Sequence, residues 1–223
     1  MSHFENGLPD SFIGQDYMTR IYAIVASAAA IAALGGVYLS MQLTNPDDQF
    51  ASCRSGAIAG GSDQIGGPFE LVNGDGVTVS DQDVITEPSL IYFGYTFCPD
   101  VCPLDTARNA EVIDLLAERG LSATPVFISV DPERDTPEVV GAFAFNLHEK
   151  MIGLTGTPEQ VKAASQAYKT YYKAHPAEDE YYLVDHSTFS YLVLPEHGFV
   201  EFFRRDNSAE EIADTMACFI EAS

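Results

Sequence analysis

The sequence predicts an α/β domain that is preceded by one N-terminal transmembrane helix. Two observations lead to this prediction. Apolar strand-like runs alternate with amphipathic helical segments over residues 68–223, which is typical of a sheet covered by helices on both faces. Residues 21–43 form a run of 23 residues without a charged side chain. A helix of that length crosses a hydrocarbon core of about 30 Å, since each residue adds about 1.5 Å.

The N-terminal region is divided by this apolar run. Residues 1–20 are polar and are interpreted as a cytoplasmic tail, and residues 21–43 as an uncleaved transmembrane anchor. Arg20 lies just before the run and two aspartates follow it, so the positive-inside rule leaves the N-terminus inside. A cleaved signal peptide is the alternative, because Ala-x-Ala spacings occur within the run. Residues 44–67 are rich in Gly, Ser and Asp and are interpreted as a tether.

The domain that follows begins with a hairpin over residues 69–79, which turns at an Asn-Gly-Asp-Gly sequence. Further strands are predicted at 88–93, 125–130, 152–154, 181–184, 189–194 and 199–203. Helices are predicted at 105–119, from Thr136 to about Leu147, from Thr157 to about Tyr172, and after Ser208, and the last three begin with capping residues. A charged loop is predicted at 173–180. The final antiparallel pair and helix, with a dithiol after the first central strand, are the layout of a thioredoxin-like fold.

The turn after the 88–93 strand carries two thiols, in the sequence Cys98-Pro99-Asp100-Val101-Cys102-Pro103. Two thiols at such a turn can form a disulfide, attack one, or bind a soft metal. Proline suits the first helical position, so Cys102 is expected at the helix N-cap, where free N–H groups lower the pKa of a thiol. Three residues separate the cysteines, whereas a redox Cys-x-x-Cys motif has two.

In a thioredoxin-like layout, the turn before the penultimate central strand faces the dithiol, at the place where thioredoxins have a cis-proline, and here this turn is predicted to be Asp185-His186-Ser187-Thr188. His186 is therefore the expected third ligand. Two thiolates and an imidazole suit copper, because thiolates favour Cu(I) and imidazole binds both oxidation states. Zinc also fits these donors, although a structural zinc site usually has four protein ligands. Asp185 either orients the imidazole or caps the turn.

Three motifs give the chain a resemblance to the Sco/SenC family of membrane-anchored copper-delivery proteins. They are Tyr95–Pro103 (YTFCPDVCP), Ser129–Pro137 (SVDPERDTP) and Val184–Ser187 (VDHS), and the similarity extends over residues 21–220. The resemblance implies a thioredoxin-like fold with an added hairpin over residues 68–223. It also implies that Cys98, Cys102 and His186 bind Cu(I) or Cu(II).

The same resemblance implies a function and a location. The family helps to assemble the CuA centre of cytochrome c oxidase, so the implied partners are the subunit that carries CuA, other copper carriers and thiol reductants. The implied location is the inner membrane with the C-terminal domain in the periplasm, or the equivalent mitochondrial intermembrane space. The 131–137 segment is expected either to pack near the site or simply to begin a helix.

The remaining two cysteines lie outside these motifs. The last predicted helix has an apolar stripe made of Ile212, Met216, Phe219 and Ile220, and Cys218 points away from it. In an oxidising compartment we expect a Cys53–Cys218 disulfide that fastens the tether to this helix.

Charge and motif spacing limit the other function classes. The formal net charge of −22 argues against nucleic-acid binding, because the phosphate backbone would repel the chain. The main alternative to copper delivery is a thiol–disulfide oxidoreductase that reduces the partner's copper-binding cysteines, with Cys98 as nucleophile and Cys102 as resolving thiol. Peroxide scavenging is disfavoured because no Pro-x-x-x-Thr-x-x-Cys motif precedes Cys98. A copper or redox sensor is a further alternative.

Overall fold

The computed structural model describes residues 11–43, 49–54, 64–175 and 181–223. These residues belong to two units, Met1–Asp48 and Gln49–Ser223, which are described separately. The predicted tail before residue 11 and most of the predicted tether, at 44–48 and 55–63, lie outside the described residues.

The described part of the first unit is the helix α1, which spans Ser11–Leu43. Its segment Arg20–Val37 has a mean hydropathy of 1.7 and is long and apolar enough to cross a membrane. The side chains of this segment are exposed. The helix begins ten residues before the predicted anchor, so its N-terminal part is helical where the sequence predicts a polar tail.

The second unit is built on nine strands and five helices among the described residues. The strands are β1 (Glu70–Asn73), β2 (Thr78–Ser80), β3 (Ser89–Gly94), β4 (Thr124–Ser129), β5 (Ile152–Thr155), β6 (Tyr172–Ala174), β7 (Val184–His186), β8 (Ser190–Leu194) and β9 (Gly198–Phe203). The helices are α2 (Asp81–Val84), α3 (Val101–Glu118), α4 (Pro137–Leu147), α5 (Pro158–Ala167) and α6 (Ala209–Ala222).

Seven of the strands form one mixed sheet in the order β2-β1-β5-β4-β3-β8-β9. The central strands β3, β4 and β5 are parallel, while β8 and β9 on one side and the β1–β2 hairpin on the other are antiparallel. The predicted hairpin is therefore an edge extension of the main sheet. β6 and β7 pair with each other and form a second, two-stranded sheet.

The core has two parts, one on each face of the sheet. On one face, Leu90 and Leu192 contact the buried sides of α3 and α6. On the other face, Ile91 and Phe127 pack with residues of α4 and α5. Leu90 and Ile91 are neighbours in β3, and they serve opposite faces because successive strand residues point in opposite directions. The predicted covering of both faces by helices is confirmed.

The structure differs from the sequence prediction between α5 and β8. α5 ends at Ala167 because Lys169 adopts a left-handed conformation, with φ of 52°, that does not continue a helix. β6 then occupies Tyr172–Ala174, where the sequence predicts the end of a helix and a charged loop. Asp185 and His186 lie in β7 and not in a turn.

The start of the second unit is fastened to its last helix. Cys53 and Cys218 form a disulfide with a Cα–Cα distance of 5.6 Å, as predicted. Phe50 is buried beside it, with its ring centroid 5.2 Å from that of Phe219. Residues 49–54 are therefore packed on the domain, and this part of the predicted tether is not a free linker.

Candidate metal centre

The dithiol lies at the carboxyl end of β3, where the chain turns into α3. The helix begins at Val101 with Asp100 as its N-cap residue, so Cys102 lies in the first turn of the helix. The sequence predicts a helix start at Pro103 with Cys102 as the cap and a lowered pKa. Both parts of this prediction are wrong. The Cys102 side chain is fully buried, and burial raises the pKa of its thiol well above the ordinary value.

Cys98 takes the role at the helix start that the sequence assigns to Cys102. Its sulfur accepts the N–H of Cys102 at 3.4 Å. Burial alone would raise the pKa of the Cys98 thiol, but the backbone N–H groups of Cys102, Asp100 and Val101 lower it below its ordinary value. Cys98 is also the less buried thiol, with 7% of its surface exposed against 0% for Cys102. The two thiols are chemically different, and Cys98 is the one poised to form a thiolate.

Gly94, the last residue of β3, makes room for the buried thiol. A Cβ at this position would lie 3.0 Å from the Cys102 sulfur and 2.8 Å from the ring of Tyr92. A larger residue would therefore push the sulfur or the ring away. The glycine lets the first turn of α3 lie directly on the end of the strand.

His186 approaches the dithiol from β7. Its Nε2 lies 3.2 Å from the Cys102 sulfur, and its Nδ1 is 2.8 Å from the carbonyl oxygen of Ser187. A carbonyl only accepts, so Nδ1 carries the proton and the Nε2 lone pair faces the thiol. Burial lowers the pKa of the imidazole, which favours this neutral form. A neutral imidazole with a free Nε2 is the form that binds a metal ion.

Two tyrosine rings fix the orientation of the imidazole. The rings of Tyr92 and Tyr95 meet it edge to face, with centroids 6.1 and 5.8 Å away and interplanar angles of 88° and 90°. Edge-to-face contacts of this kind are favourable and directional. His186 is therefore held by rings on two sides and by a backbone carbonyl at Nδ1.

The three predicted ligands come together. The sulfurs of Cys98 and Cys102 and a ring nitrogen of His186 lie within 4.8 Å of one another, and they are the one such group of three among the described residues. In zinc sites, metal–sulfur and metal–nitrogen bonds are about 2.3 and 2.0 Å long, so donors of one ion lie at most about 4.6 Å apart. The donor spacing fits a single soft metal ion after a small contraction. Neither cysteine of the pair forms a disulfide.

Asp185 does not orient the imidazole, which corrects the first of the two roles considered for it. Its carboxylate lies 2.6 Å from Nε2 of His175 on the exposed side of the β6–β7 pair. Asp185 and His186 are neighbours in a strand and so point to opposite faces. The backbone carbonyl of Ser187 takes the place of the expected carboxylate.

A buried polar network behind Cys102 was missed in the sequence. The Tyr92 hydroxyl donates to Asp105 at 3.0 Å, and Asp105 is paired with Arg205 at 3.2 Å and Arg108 at 3.9 Å. Burial, together with the nearby acidic groups Cys102 and Asp105, raises the pKa of Tyr92. The spacing of Asp105 and Arg108 on a predicted helix indicates an ion pair between them. Tyr92 gives no such signal, because it lies within an apolar strand.

The segment after β4 packs beside the site and also begins a helix, so both expectations for residues 131–137 hold. The Asp135 carboxylate accepts from Ser129 Oγ at 2.6 Å and from the backbone N–H of Thr96 at 2.9 Å. It therefore ties the end of β4 to the loop that leads to Cys98. Burial raises the pKa of Asp135. Thr136 caps α4, with Pro137 in the first turn.

The chain is similar to one family of proteins over most of its length. The family model described as SCO1/SenC matches residues 58–221. Protein SenC of Rhodobacter capsulatus is 52% identical over 201 residues, which cover 90% of each chain. The mitochondrial SCO1 homologue of Homo sapiens is 40% identical over 160 residues, which are 70% of this chain and 53% of the human one.

Solved structures agree with these sequence matches. The crystal structure of Arabidopsis thaliana ScoI with copper bound has a TM-score of 0.67 and 40% identity, and the match covers 70% of this chain and 99% of that one. Yeast Sco1 with copper bound has a TM-score of 0.67 and 33% identity over 72% of this chain and 90% of that one. The predicted thioredoxin-like α/β fold with an added hairpin is thereby confirmed.

Proposed function

Because the chain belongs to the SCO1/SenC family, we propose that it is a copper carrier that binds its cargo through Cys98, Cys102 and His186. The observation that carries this proposal is the meeting of two sulfurs and one ring nitrogen within 4.8 Å. It is supported by two similar proteins, Arabidopsis ScoI and yeast Sco1, that were solved with copper bound.

The donor set is well suited to copper. Thiolates are soft ligands that favour Cu(I), and an imidazole binds Cu(I) and Cu(II) alike. Three protein ligands also leave a coordination position open, unlike the four of a structural zinc site. An open position suits a cargo that must be passed on, because an incoming thiolate or imidazole of the acceptor can bind before the carrier's ligands leave.

We propose the CuA site of cytochrome c oxidase as the acceptor. A Sco protein with 25% identity and a TM-score of 0.57, matched over 70% of this chain and 92% of its own, is described as a member of the Sco family of cytochrome c oxidase assembly proteins. Transfer by ligand exchange requires that the donor atoms can be reached from outside. Cys98 and the partly buried His186 are the ligands nearest the surface, so the acceptor would meet them first.

Copper uptake by this site requires both cysteines in the reduced state. Cys98 readily supplies a thiolate, whereas Cys102 has to release a proton, since burial keeps its pKa high. An oxidised Cys98–Cys102 pair has no thiolates to offer. The carrier would therefore depend on a thiol reductant in its compartment.

The contrast between the two thiols favours a second candidate function, thiol–disulfide exchange with the acceptor. The Cys98 thiolate would attack one sulfur of the acceptor's disulfide and release the other as a thiolate. Cys102, once deprotonated, would attack Cys98 in the mixed disulfide and release the second acceptor sulfur. The acceptor gains two electrons, and Cys98 and Cys102 become a disulfide.

We also propose that α1 anchors the chain in the inner membrane, with residues 49–223 in the periplasm or the mitochondrial intermembrane space. The apolar segment Arg20–Val37 has the length required. The Cys53–Cys218 disulfide supports an oxidising compartment, because reducing cytosols rarely maintain such bonds. Relatives from Arabidopsis and Homo sapiens are named as mitochondrial.

Substitution of the histidine separates the two candidate functions. The His186→Ala variant is expected to bind Cu(I) at least about tenfold more weakly than the parent, because a direct ligand is lost. It should still reduce a disulfide peptide, since neither thiol is changed. Cu(I) affinity is measured by competition with a chromophoric chelator, and disulfide reduction by the release of a labelled thiol.

His148→Ala is the matched control, because His148 lies at the end of α4 and pairs with Asp114. It should bind copper as the parent does. Equal copper affinity in the parent and the His186→Ala variant would contradict the proposed carrier function. If the His186→Ala variant lost peptide reduction while the His148→Ala control kept it, thiol–disulfide exchange without the histidine would be contradicted.

A further inference from the structure

The three ligands of the candidate site are not held in the same way. Cys98 and Cys102 belong to the junction of β3 and α3, which is part of the seven-stranded sheet and its core. His186 lies on β7, which within the part of the chain that the structure describes pairs with the three residues of β6 and with no strand of the main sheet. The position of the imidazole over the dithiol therefore depends on the short link from His186 to β8 and on side-chain contacts between the β6–β7 pair and the rest of the domain.

Arg134 takes part in one of these contacts. Its guanidinium carbon lies 3.6 Å from the ring centroid of Tyr182, 4.9 Å from that of Phe97 and 5.6 Å from that of Tyr95. Tyr182 precedes β7, while Phe97 and Tyr95 belong to the loop that ends at Cys98. One cation thus bridges the segment that carries the imidazole and the loop that carries a thiol. The Arg134 side chain is only 12% exposed, and partial removal from water strengthens such cation–π contacts.

Asp131 fixes both members of this bridge at once. One oxygen of its carboxylate accepts from Arg134 Nε at 2.6 Å, and the other accepts from the Tyr182 hydroxyl at 2.6 Å. Asp131 is buried, and its backbone N–H is held by Ser129 Oγ at the end of β4. Asp131, which follows the central strand β4, therefore holds both the guanidinium of Arg134 and the hydroxyl of Tyr182.

A second contact continues from this bridge to the ligand itself. The backbone N–H of Val184, the first residue of β7, donates to the Tyr95 hydroxyl at 3.4 Å. The ring of Tyr95 meets the imidazole of His186 edge to face. Tyr182 precedes Val184 by two residues and His186 by four. Displacing the Tyr182 side chain would therefore loosen the start of β7.

From this geometry we propose that Arg134 and Tyr182 form a clamp that holds the β6–β7 pair, and with it His186, over the two thiols before copper arrives. The inference rests on the proposed function in one respect, which is that copper is the ligand. Arg134 and Tyr182 act as positioning residues, because neither contacts the sulfur or nitrogen atoms that would bind the metal. A histidine placed in advance lowers the cost of ordering the third ligand, so affinity depends on the fraction of molecules with the clamp closed.

The test compares Arg134→Lys and Tyr182→Phe with the parent in the full-length, reduced protein. Lysine keeps the charge but lacks the planar group that stacks on the rings, and phenylalanine keeps the ring but loses the bond to Asp131. Tyr171→Phe and Arg204→Lys are matched controls. The hydroxyl of Tyr171 and the guanidinium of Arg204 make none of the contacts that form the clamp.

The first measurement is hydrogen exchange in the metal-free protein. The amides of Val184 and Ser187 are expected to exchange about tenfold faster in Arg134→Lys than in the parent, because local opening of the β6–β7 pair becomes easier. Tyr182→Phe should lie between Arg134→Lys and the parent, and the controls should match the parent. Parent-like exchange in both clamp variants would overturn the proposal.

The second measurement is Cu(I) affinity by chelator competition, together with the thermal unfolding midpoint. The Arg134→Lys variant is expected to bind about tenfold more weakly if a tenth of its molecules keep the clamp closed. Tyr182→Phe, the milder change, should weaken binding by less than Arg134→Lys does. The unfolding curves should show both variants fully folded at the assay temperature, so that global unfolding does not account for the loss of affinity. Faster exchange with parent-like affinity in both variants would overturn the link to the site. If the parent bound no copper, the proposed function would be contradicted but the clamp would not. The hydrogen-exchange rates would still test the clamp.

Discussion

At the level of single residues, the two thiols of the candidate site differ in acidity. Cys98 and Cys102 are four positions apart, yet burial and backbone N–H groups shift their pKa values in opposite directions. The cause is the exact start of α3, which directs the free N–H groups of its first turn at the Cys98 sulfur.

This asymmetry predicts different alkylation rates for two single-thiol variants. In Cys102→Ser, which retains Cys98, iodoacetamide should reach half its maximal rate below about pH 8.5, the ordinary cysteine pKa. In Cys98→Ser, which retains Cys102, the reaction should stay slow to well above that pH, because burial disfavours the thiolate. Mass spectrometry over a pH series measures both rates.

Unfolding each variant in denaturant supplies the control, since both thiols should then titrate near the ordinary cysteine value. The same pKa shifts determine how copper affinity depends on pH. Affinity should weaken as the pH falls, because Cys98 becomes protonated. Faster alkylation of Cys102 than of Cys98 at neutral pH would contradict the assignment of Cys98 as the thiolate.

At the scale of elements, the Cys53–Cys218 disulfide connects the start of the domain to α6. The two cysteines are 165 residues apart in sequence, so the bond closes a long loop. Phe50 and Phe219 pack beside it and hold the same two segments together without a covalent bond. The bond should therefore contribute stability without being required for the fold.

The Cys53→Ser/Cys218→Ser double variant tests this contribution. Its free energy of unfolding is expected to fall by about 2–4 kcal/mol, because the unfolded chain regains the freedom that the crosslink removes. Copper affinity should not change, since the copper site is built on other elements. Urea denaturation under non-reducing conditions measures the loss, and a stability equal to that of the parent would count against a formed disulfide.

At the scale of the whole molecule, one apolar helix accompanies a strongly acidic chain. The net charge of −22 disfavours attachment to anionic lipid headgroups. Any stable attachment to membranes should therefore depend on α1. We expect the full-length chain to stay in the membrane pellet after an alkaline carbonate wash, and a variant without residues 20–37 to be released.

Immunoblotting of pellet and supernatant measures this distribution, with a soluble periplasmic protein as the control for complete release. Protease added to the periplasmic side should digest residues 49–223 of the full-length chain. Complete release of the full-length chain by carbonate would contradict the transmembrane anchor, and protection of the domain from periplasmic protease would contradict its proposed side.

His186 was identified through the thioredoxin-like layout and the family resemblance, whereas short patterns predicted the alternation of strands and helices, the helix caps, the apolar run and the cysteine pair. These features depend on short-range patterns, such as the period of apolar residues or the Thr-Pro start of α4. The Cys53–Cys218 pairing was also within reach, because only two cysteines lay outside the motif and one pointed away from its helix's apolar stripe.

Three findings required the three-dimensional structure: which thiol is the more acidic, that Ser187 and not Asp185 holds the imidazole, and that Arg134 lies between the loop before Cys98 and the segment before β7. Each of these depends on burial and on contacts between segments far apart in the chain. The pKa of a thiol or the partner of a carboxylate changes over a few ångströms, and sequence patterns do not fix distances at that scale.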